Sequence, residues 1–275
     1  MPSTSRPDDK PTRFLDLHHG DGPLLLPNPW DVGSARILAG VGYDALATTS
    51  SGFAATLGRL DGSVSRAEAL AHAATIVAAT PLPVSADLEN GFGDEPDTVA
   101  RTVGDAMAIG LAGCSIEDYS GNDDRPIYGR SLATERIAAA AAVAHAGPDR
   151  IVLTARAENH LHGRHDLADT IGRLQDFQEA GADVLYAPGV TSRSDIASIL
   201  ASIDRPVNVL LLAGGPTVAE LAELGVHRIS LGGALAFAAL GGLVEAARDL
   251  REQGIASFYA RTKLGREAAI AAFTR

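Results

Sequence analysis

Short apolar runs alternate with Ala-rich stretches of helical pattern along almost the whole chain. The runs cover residues 24–27, 44–49, 83–87, 113–117, 151–155, 183–187, 207–211 and 227–231. Helical patterns follow nearly all of them, at residues 33–39, 65–79, 96–109, 133–145, 167–180, 192–202, 218–224 and 235–253. Regular alternation of this kind predicts parallel strands joined by crossover helices. Glycines near the ends of several predicted helices fit a left-handed C-cap that turns the chain into the next strand.

The number of repeats predicts the architecture. About eight strand–helix units in about 250 residues fit an α/β fold of the (β/α)8 TIM-barrel type. A doubly wound open sheet is the alternative, although no Gly-x-Gly-x-x-Gly motif follows the first run, which weakens its dinucleotide-binding form. An amphipathic pattern over 255–275 predicts an extra C-terminal helix that packs on a neighbouring subunit or across the barrel base. The expected organisation is a disordered tail at 1–12, a catalytic barrel at 13–254 and an extension for oligomerisation at 255–275.

Composition argues against several classes of function. The net charge of −11 disfavours a nucleic-acid or anionic-membrane partner. No apolar run is long enough to span a bilayer, and residues 1–12 lack the apolar core of a signal peptide. A single cysteine suits a reducing compartment, so a cytoplasmic location is expected. Lys10 and Lys263 are the only lysines, which argues against Schiff-base and pyridoxal enzymes because these need an interior lysine.

Carboxylates follow three neighbouring runs, at the strand ends where barrels place their chemistry. They are Asp87 and Glu89 in the segment 87–93 (Asp-Leu-Glu-Asn-Gly-Phe-Gly), Glu117 and Asp118 one run further on, and Glu158, which stands two residues after Arg156. Hard divalent cations prefer oxygen ligands and offset the repulsion between neighbouring acids. The sequence therefore predicts a Mg²⁺ site, with Mn²⁺ as an alternative ion, around Asp87, Glu89 and Glu117.

Other patterns have more than one interpretation. The spacing His160-x-His162-x-x-His165 resembles a zinc motif, but it falls in a polar loop, and we favour a solvated loop from which only His160 reaches the pocket. Gly-rich segments at 212–215 and 231–233 resemble phosphate-binding loops, a pattern that is common in barrels. A phosphate-sugar barrel enzyme would need an anion bound at these two segments.

In chain order, these segments together resemble the isocitrate lyase/phosphoenolpyruvate mutase superfamily. The resemblance runs from residues 28–31 (Asn-Pro-Trp-Asp) to residues 228–232 (Arg-Ile-Ser-Leu-Gly). Between them it rests on Ser51-Gly52, residues 86–93, Ile116-Glu117-Asp118 and residues 155–158 (Ala-Arg-Ala-Glu). It implies an α/β barrel that exchanges its last helix with a partner subunit in a homodimer or homotetramer. It also implies Mg²⁺-dependent cleavage or formation of a C–C or P–C bond next to a 2-oxo carboxylate.

The resemblance also implies roles for single residues. Asp87 would bind the metal directly, while metal-bound waters would be held by Asp61, Glu89 and Glu117. The substrate carboxylate would lie against the Ser51 side chain and the backbone amides of Gly52 and Phe53, with further substrate contacts from Trp30, Asp87 and Asn208. Arg156 would hold the distal end of the substrate; its alternative role is a structural ion pair with Glu158 or Glu117. Catalysis is expected to involve Arg156, Glu117, Tyr119 and His160.

The chain departs from the superfamily pattern at two places. Glu89 and Glu158 stand where aspartate is usual, and the added methylene moves each carboxylate by about 1 Å. The loop at 119–130 lacks the Lys-x-Cys-Gly-His signature of the lyase branch, and the lysine-bearing loop of the mutase branch is not matched either. The proton donor therefore stays open between Tyr119, Tyr128, His160 and a metal-bound water.

The expected function is Mg²⁺-dependent cleavage or formation of a C–C bond next to the 2-oxo carboxylate of a small di- or tricarboxylic acid. A metal-stabilised enolate would be the intermediate, as in a 2-methylisocitrate lyase or an oxaloacetate decarboxylase. Decarboxylation needs the least additional machinery because the departing CO2 requires no general base. The alternatives are a P–C bond mutase or hydrolase acting on a phosphonopyruvate-like substrate, and a non-catalytic protein that binds 2-oxo acids.

Overall fold

Eight parallel strands form a nearly closed barrel in this computed structural model, which describes residues 9–122 and 124–274. The strands are β1 (Leu24–Leu26), β2 (Leu46–Ala47), β3 (Val84–Asp87), β4 (Gly113–Glu117), β5 (Val152–Arg156), β6 (Val184–Tyr186), β7 (Val207–Leu210) and β8 (Arg228–Ser230). Their order around the sheet is β1-β8-β7-β6-β5-β4-β3-β2. The Ala47 N–H donates to the Pro27 carbonyl at 3.1 Å and so joins β2 to the end of β1. The predicted TIM-type barrel is confirmed, and the open-sheet alternative is wrong.

Helices surround the strands. They are α1 (Lys10–Leu17), α2 (Val32–Val41), α3 (Ser50–Thr56), α4 (Arg66–Ala79), α5 (Pro96–Ala108), α6 (Arg130–Ala144), α7 (Leu167–Glu179), α8 (Arg193–Leu200), α9 (Val218–Glu223), α10 (Ala234–Arg248) and α11 (Tyr259–Phe273). A π-helical turn at Asp249–Gln253 continues α10. No helix in the described ranges has the length and hydropathy needed to cross a bilayer.

Local sequence explains where several helices begin and end. Reciprocal capping boxes start α4, through Ser65 and Glu68, and α9, through Thr217 and Glu220. After α2, α5, α7 and α9 the chain turns at a glycine with φ between 82° and 106°, at Gly42, Gly110, Gly181 and Gly225. Only glycine adopts this conformation without strain, so the predicted turns into the next strands are confirmed.

Helix α1 lies partly in the segment predicted to be a disordered tail. It begins at Lys10, where the Asp9 carboxylate accepts the Thr12 N–H at 3.1 Å, so the tail prediction is wrong for residues 10–12. Residues 1–8 lie outside the described ranges. Phe14 is fully buried and packs with apolar side chains at the amino ends of the strands, including Leu24 and Val152. Helix α1 therefore closes the barrel base.

The predicted C-terminal helix is present as α11, but it does not cover the barrel base. Its residues Ala272 and Phe273 lie against Gly40 and Gly33 of α2, on the outside of the barrel in the same chain. The alternative placement, on a neighbouring subunit, stays a prediction.

The barrel interior changes from apolar at the base to polar above it. Inward side chains come from every second strand residue, so they stack in layers. Above the apolar base lies a middle layer of polar residues: Ser85, Ser115, Thr154, Asn208 and Arg228. Interiors of this fold are usually filled by bulky branched apolar residues. Here the small hydroxyl side chains leave space beneath the barrel mouth.

The histidine that follows α1 should make the protein sensitive to acid. His18 is 1% exposed, and burial, together with the positive charges of Arg228 and His19, lowers its pKa to about 3, although the Phe14 carbonyl and Asp183 raise it. An unfolded histidine titrates near 6.5, so the unfolded chain takes up a proton that the folded chain does not, and stability falls as the pH drops below 6.5. Between pH 7 and pH 5 this group should remove about 2 kcal/mol of unfolding free energy.

Urea unfolding at a series of pH values measures this loss. His18→Gln should flatten the slope between pH 7 and pH 5, whereas His165→Gln, at an exposed position, should leave it unchanged. Equal slopes in the His18→Gln variant and the wild type would contradict the assignment.

Candidate active site

Two adjoining cavities open at the carboxyl ends of the strands. The inner cavity, of about 180 Å³, lies inside the barrel, and the outer cavity, of about 670 Å³, lies over its mouth. Four residues line both, namely Ser50, Asp61, Arg156 and Leu161. Asp87 lines the inner cavity, while Glu89, Glu117 and Glu158 line the outer one. The acids that follow β3, β4 and β5 in the sequence therefore meet around one space, as predicted.

The guanidinium of Arg156 lies at the centre of these acids. Its Nη1 is 2.9 Å from Asp87 Oδ1, its Nη2 is 3.1 Å from Glu117 Oε2, and its Nε is 2.8 Å from Glu158 Oε1. The Arg156 side chain is 15% exposed. The structure therefore contains the ion pairs of Arg156 with Glu117 and Glu158 that were predicted as its alternative role, although Arg156 also lines both cavities.

Negative charge exceeds positive charge at this mouth. Burial, with added repulsion from Asp87 and Asp61, raises the pKa of Glu89 to about 7. Burial also raises the pKa of Glu117 well above its usual range, because one guanidinium does not compensate all the neighbouring carboxylates. The carboxyl of Asp61, in an otherwise exposed loop, loses water at the cavity edge, and its pKa rises too. A bound cation would relieve this repulsion.

A tight turn carries Asp87 and Glu89 to the mouth. Glu89 has φ 48° and Phe92 has φ 62°, a conformation that costs side-chain-bearing residues about 1 kcal/mol or more. Between them Gly91 has φ 76°, and an added Cβ there would lie 3.1 Å from Val99. The Glu89 N–H donates to Asp87 Oδ1 at 3.3 Å, which orients the Asp87 carboxylate. Strained backbone of this kind is typical of functional sites.

Buried Arg136 of α6 holds the same turn from behind, a role that the sequence analysis missed. It is 1% exposed and donates to the carbonyls of Asn90, Gly93 and Asp94. Its guanidinium also lies 4.2 Å from the centre of the Tyr128 ring. Arg136 thereby connects the acidic turn to the helix that follows the next strand.

The site residues fit a magnesium ion that keeps most of its water. In residues 9–122 and 124–274, no three His, Cys, Asp or Glu side chains are grouped closely enough to enclose a metal ion. Mg²⁺ commonly binds one or two carboxylates directly and retains several waters, so it needs no such enclosure. Its predicted ligand Asp87, and the predicted water-holding residues Asp61, Glu89 and Glu117, all line these two cavities. The raised carboxyl pKa values are consistent with this fit.

The predicted carboxylate-binding turn is only partly arranged as expected. Ser51 lines the inner cavity, and its Oγ lies 3.2 Å from Thr49 Oγ1. The backbone amides of Gly52 and Phe53 instead donate to Thr49, at 3.3 Å and 3.0 Å, and neither residue lines a cavity. The substrate-binding prediction for these two amides therefore does not fit the structure as stated.

Two other predicted substrate contacts lie behind the cavity walls. Trp30 lines neither cavity, and its carbonyl is 3.0 Å from His72 Nε2. Asn208 is 1% exposed; its Nδ2 donates to Ser230 and its Oδ1 accepts from Arg228, both at 2.9 Å. Asn208 therefore positions two residues that do line the inner cavity, and it does not line the cavity itself. Of the two Gly-rich segments, only Gly232 and Gly233 reach the inner cavity.

The candidate proton donors lie in different parts of the structure. Tyr119 lines the outer cavity and stacks on His162, with 3.9 Å between ring centres. Tyr128 donates to Asp94 Oδ1 at 2.5 Å and lines a different cavity, and burial raises its pKa to about 12. His160 lines neither site cavity, so the expectation that it alone of the three loop histidines reaches the pocket is wrong, and His162 reaches it instead.

Several cavity residues were absent from the sequence prediction. Among them are Tyr186 on β6, Arg228 and Ser230 on β8, and the serines Ser85 and Ser115. The sequence contains a signal for the two serines. Ser85 and Ser115 stand two residues before the acids Asp87 and Glu117 and therefore share their face of the sheet.

The sequence pattern that defines the phosphoenolpyruvate phosphomutase family matches residues 14–251. The chain belongs to this family. A crystal structure of a Burkholderia cenocepacia J2315 protein, provisionally described as a lyase/mutase, is 51% identical and superposes with a TM-score of 0.89, covering 91% of each chain. An uncharacterized Mycobacterium tuberculosis protein is 36% identical over 87% of this chain and 89% of its own length.

Family relatives with named activities are more distant. The crystal structure of 2,3-dimethylmalate lyase, a member of the PEP mutase/isocitrate lyase superfamily, is 29% identical with a TM-score of 0.81, covering 90% of this chain and 89% of that one. Curated relatives include 2-methylisocitrate lyases and oxaloacetate decarboxylases. The predicted superfamily is thereby confirmed, and its lyases and mutases support an enzyme. The roles of single site residues stay predictions.

Proposed function

We propose that this phosphoenolpyruvate phosphomutase family member is a Mg²⁺-dependent lyase for small 2-oxo di- or tricarboxylic acids or their aldol adducts. The observation that carries the proposal is the excess of carboxylates around Arg156 at the barrel mouth. Relatives named as 2-methylisocitrate lyase, oxaloacetate decarboxylase and 2,3-dimethylmalate lyase support cleavage of a C–C bond.

Asp87 would bind the metal ion directly, with Asp61, Glu89 and Glu117 holding its waters. When bound, Mg²⁺ would supply the positive charge toward which electrons move as the C–C bond breaks. Arg156 fixes the orientation of Asp87, Glu117 and Glu158 through its three ion pairs. The hydroxyl of Ser51, which lines the inner cavity, would donate to a substrate carboxylate.

The bond that breaks lies beta to the 2-oxo group, and its electron pair passes to that group while the other fragment leaves, either as CO2 or, from an aldol adduct whose hydroxyl proton passes to water, as a carbonyl compound. The carbon atom next to the 2-oxo group, from which the fragment has left, then takes up a proton. Tyr119 is the tyrosine that lines the outer cavity, so we assign it as the donor or as the residue that orients the donating water. For an oxaloacetate-like acid the leaving fragment is CO2, and no base is needed for that step.

A substrate panel tests the proposal. With Mg²⁺ present, 2-oxo diacids and their aldol adducts should be cleaved, and EDTA should reduce the rate at least a hundredfold after correction for the uncatalysed reaction. The family's phosphomutase description favours a second candidate, P–C chemistry, so phosphonopyruvate belongs in the panel with phosphorus NMR as readout. Tight binding of 2-oxo acids without turnover of any compound would contradict the lyase proposal and support a binding protein.

We also propose that the protein assembles with copies of itself through α10 and α11. Helix α10 leaves large apolar side chains exposed, with Phe237 at 52% and Leu243 at 64%. Exposed apolar patches of this kind mark protein interfaces. Light scattering of the full chain should give a dimer or tetramer, and Leu243→Asp should lower the mass. A monomeric wild type would contradict the proposal, and Leu57→Asp, at an exposed position on another face, is the control.

A further inference from the structure

Arg228 is a buried arginine without a carboxylate partner. It is 4% exposed, at the start of β8 in the polar middle layer of the barrel. Its Nε donates to Asn208 Oδ1 at 2.9 Å and its Nη1 to Thr154 Oγ1 at 3.0 Å. Within the described ranges Nη2 has no hydrogen-bond partner, and the residue lines the inner cavity.

Two other arginines of the barrel have their charge compensated by carboxylates, whereas buried Arg136 donates to three backbone carbonyls and lines neither site cavity. Arg156 contacts three carboxylates, and Arg173 contacts Asp118 and Asp169. Arg228 has only an amide oxygen, a hydroxyl and an imidazole nitrogen around it. A buried charge with neutral partners alone is costly, and because Arg228, unlike Arg136, lines a cavity, an anion from outside the chain can compensate it.

His18 holds Arg228 from below without neutralising it. The His18 Nδ1 lies 2.7 Å from the Phe14 carbonyl and so carries the hydrogen, which leaves Nε2 as the acceptor 3.4 Å from Arg228 Nη1. Burial lowers the pKa of Arg228 to about 10, with the nearby charge of Arg156 adding to the effect, so the guanidinium remains protonated at neutral pH. Positive charge therefore persists at the floor of the inner cavity.

The walls above Arg228 suit a small carboxylate. Hydroxyl groups of Ser85, Ser115 and Ser230 line the cavity, and its volume of about 180 Å³ admits a short carbon chain. Asp87 and Arg156 stand at its upper end. A molecule whose 2-oxo group lies beside Asp87 can thus extend a second acid group toward the floor.

We propose that Arg228, with the serines above it, forms a subsite for the second carboxylate of the substrate. This inference rests on the proposed function only in taking the ligand to be a 2-oxo acid. It moves recognition of the distal carboxylate from Arg156, whose charge is already shared by three acids, to Arg228. The enzyme then selects 2-oxo diacids over monoacids of the same length.

Matched ligands test the subsite by calorimetry. Oxaloacetate has a second carboxylate where 2-oxobutyrate has a methyl group. 2-Oxoglutarate and 2-oxovalerate form a second pair that differs in the same way. Titrations in EDTA avoid turnover of oxaloacetate, and the second pair is also titrated with Mg²⁺. In the wild type, at least one pair should show tenfold or greater preference for the diacid. In Arg228→Met the preference should fall below twofold while the monoacid affinity stays within twofold.

Control variants keep the outcome decisive. Arg193→Met removes a positive charge at an exposed ion pair with Glu220 and should keep the wild-type preference. If Arg228→Met fails to fold, Arg228→Gln retains hydrogen bonding to Asn208 and should lose the preference in the same way. An unchanged preference in a folded Arg228 variant, or no preference in the wild type, overturns the subsite. Loss of the preference in a protein that cleaves nothing would instead overturn the lyase proposal and leave the subsite standing.

Discussion

Asp87→Ala should abolish Mg²⁺-dependent turnover, with a loss of at least about a thousandfold in kcat/KM, comparable to removal of a principal electrostatic group. The reason is the position of this carboxylate at the end of β3, where it faces both the inner cavity and Arg156. The same variant should lose retention of Mn²⁺ in equilibrium dialysis, a measurement that does not depend on knowing the substrate.

Asp97→Ala serves as the matched control, because Asp97 is exposed in the first turn of α5 and lines neither site cavity. Its turnover and Mn²⁺ retention should stay within about twofold of the wild type. Undiminished activity of Asp87→Ala would remove the mechanism, since no other residue is predicted to contact the metal directly.

Arg156→Met should destabilise the metal-free protein by about 3–5 kcal/mol, the usual cost of removing one partner from a buried ion pair. Three carboxylates would then lose the only guanidinium that contacts them in the described ranges. Added Mn²⁺ should restore part of this stability, because a divalent ion can replace the lost positive charge. Chemical unfolding with and without Mn²⁺ measures both effects.

Arg193→Met again provides the comparison, since its ion pair with Glu220 is solvent-exposed and should contribute less than about 1 kcal/mol. If Arg156→Met is as stable as Arg193→Met, the three contacts to Arg156 do not stabilise the fold. Recovery of stability with Mn²⁺ in Arg156→Met but not in Asp87→Ala would connect the two predictions to one site.

Much of the barrel follows from local sequence, because parallel strands with both faces covered must be continuous apolar runs. Strand β4 has the predicted bounds at 113–117. The gathering of Asp87, Glu117 and Arg156 could also be predicted, since parallel strands in a barrel end at the same mouth. Their ion pairs could not, because these depend on side-chain orientation across three strands.

The features that were not predicted from the sequence depend on tertiary contacts and turn geometry. Helix α1 stands next to a polar segment, and only its burial of Phe14 beneath the barrel distinguishes it from a tail. The backbone amides of Gly52 and Phe53 were predicted to bind the substrate carboxylate, whereas the short helix α3 directs them to Thr49. His160 and His162 are two residues apart in a loop without periodic structure, so which one faces the cavity depends on turn geometry and not on pattern.

Helix α1 also has a kinetic consequence. Because α1 closes the base of the barrel, a molecule bound beside Arg228 can leave to solvent only through the mouth of the barrel. A reaction that splits its substrate would then release the upper fragment first and the deeper fragment second. Product-inhibition kinetics should show this order: the deeper fragment competes with substrate for free enzyme, and the upper fragment inhibits noncompetitively.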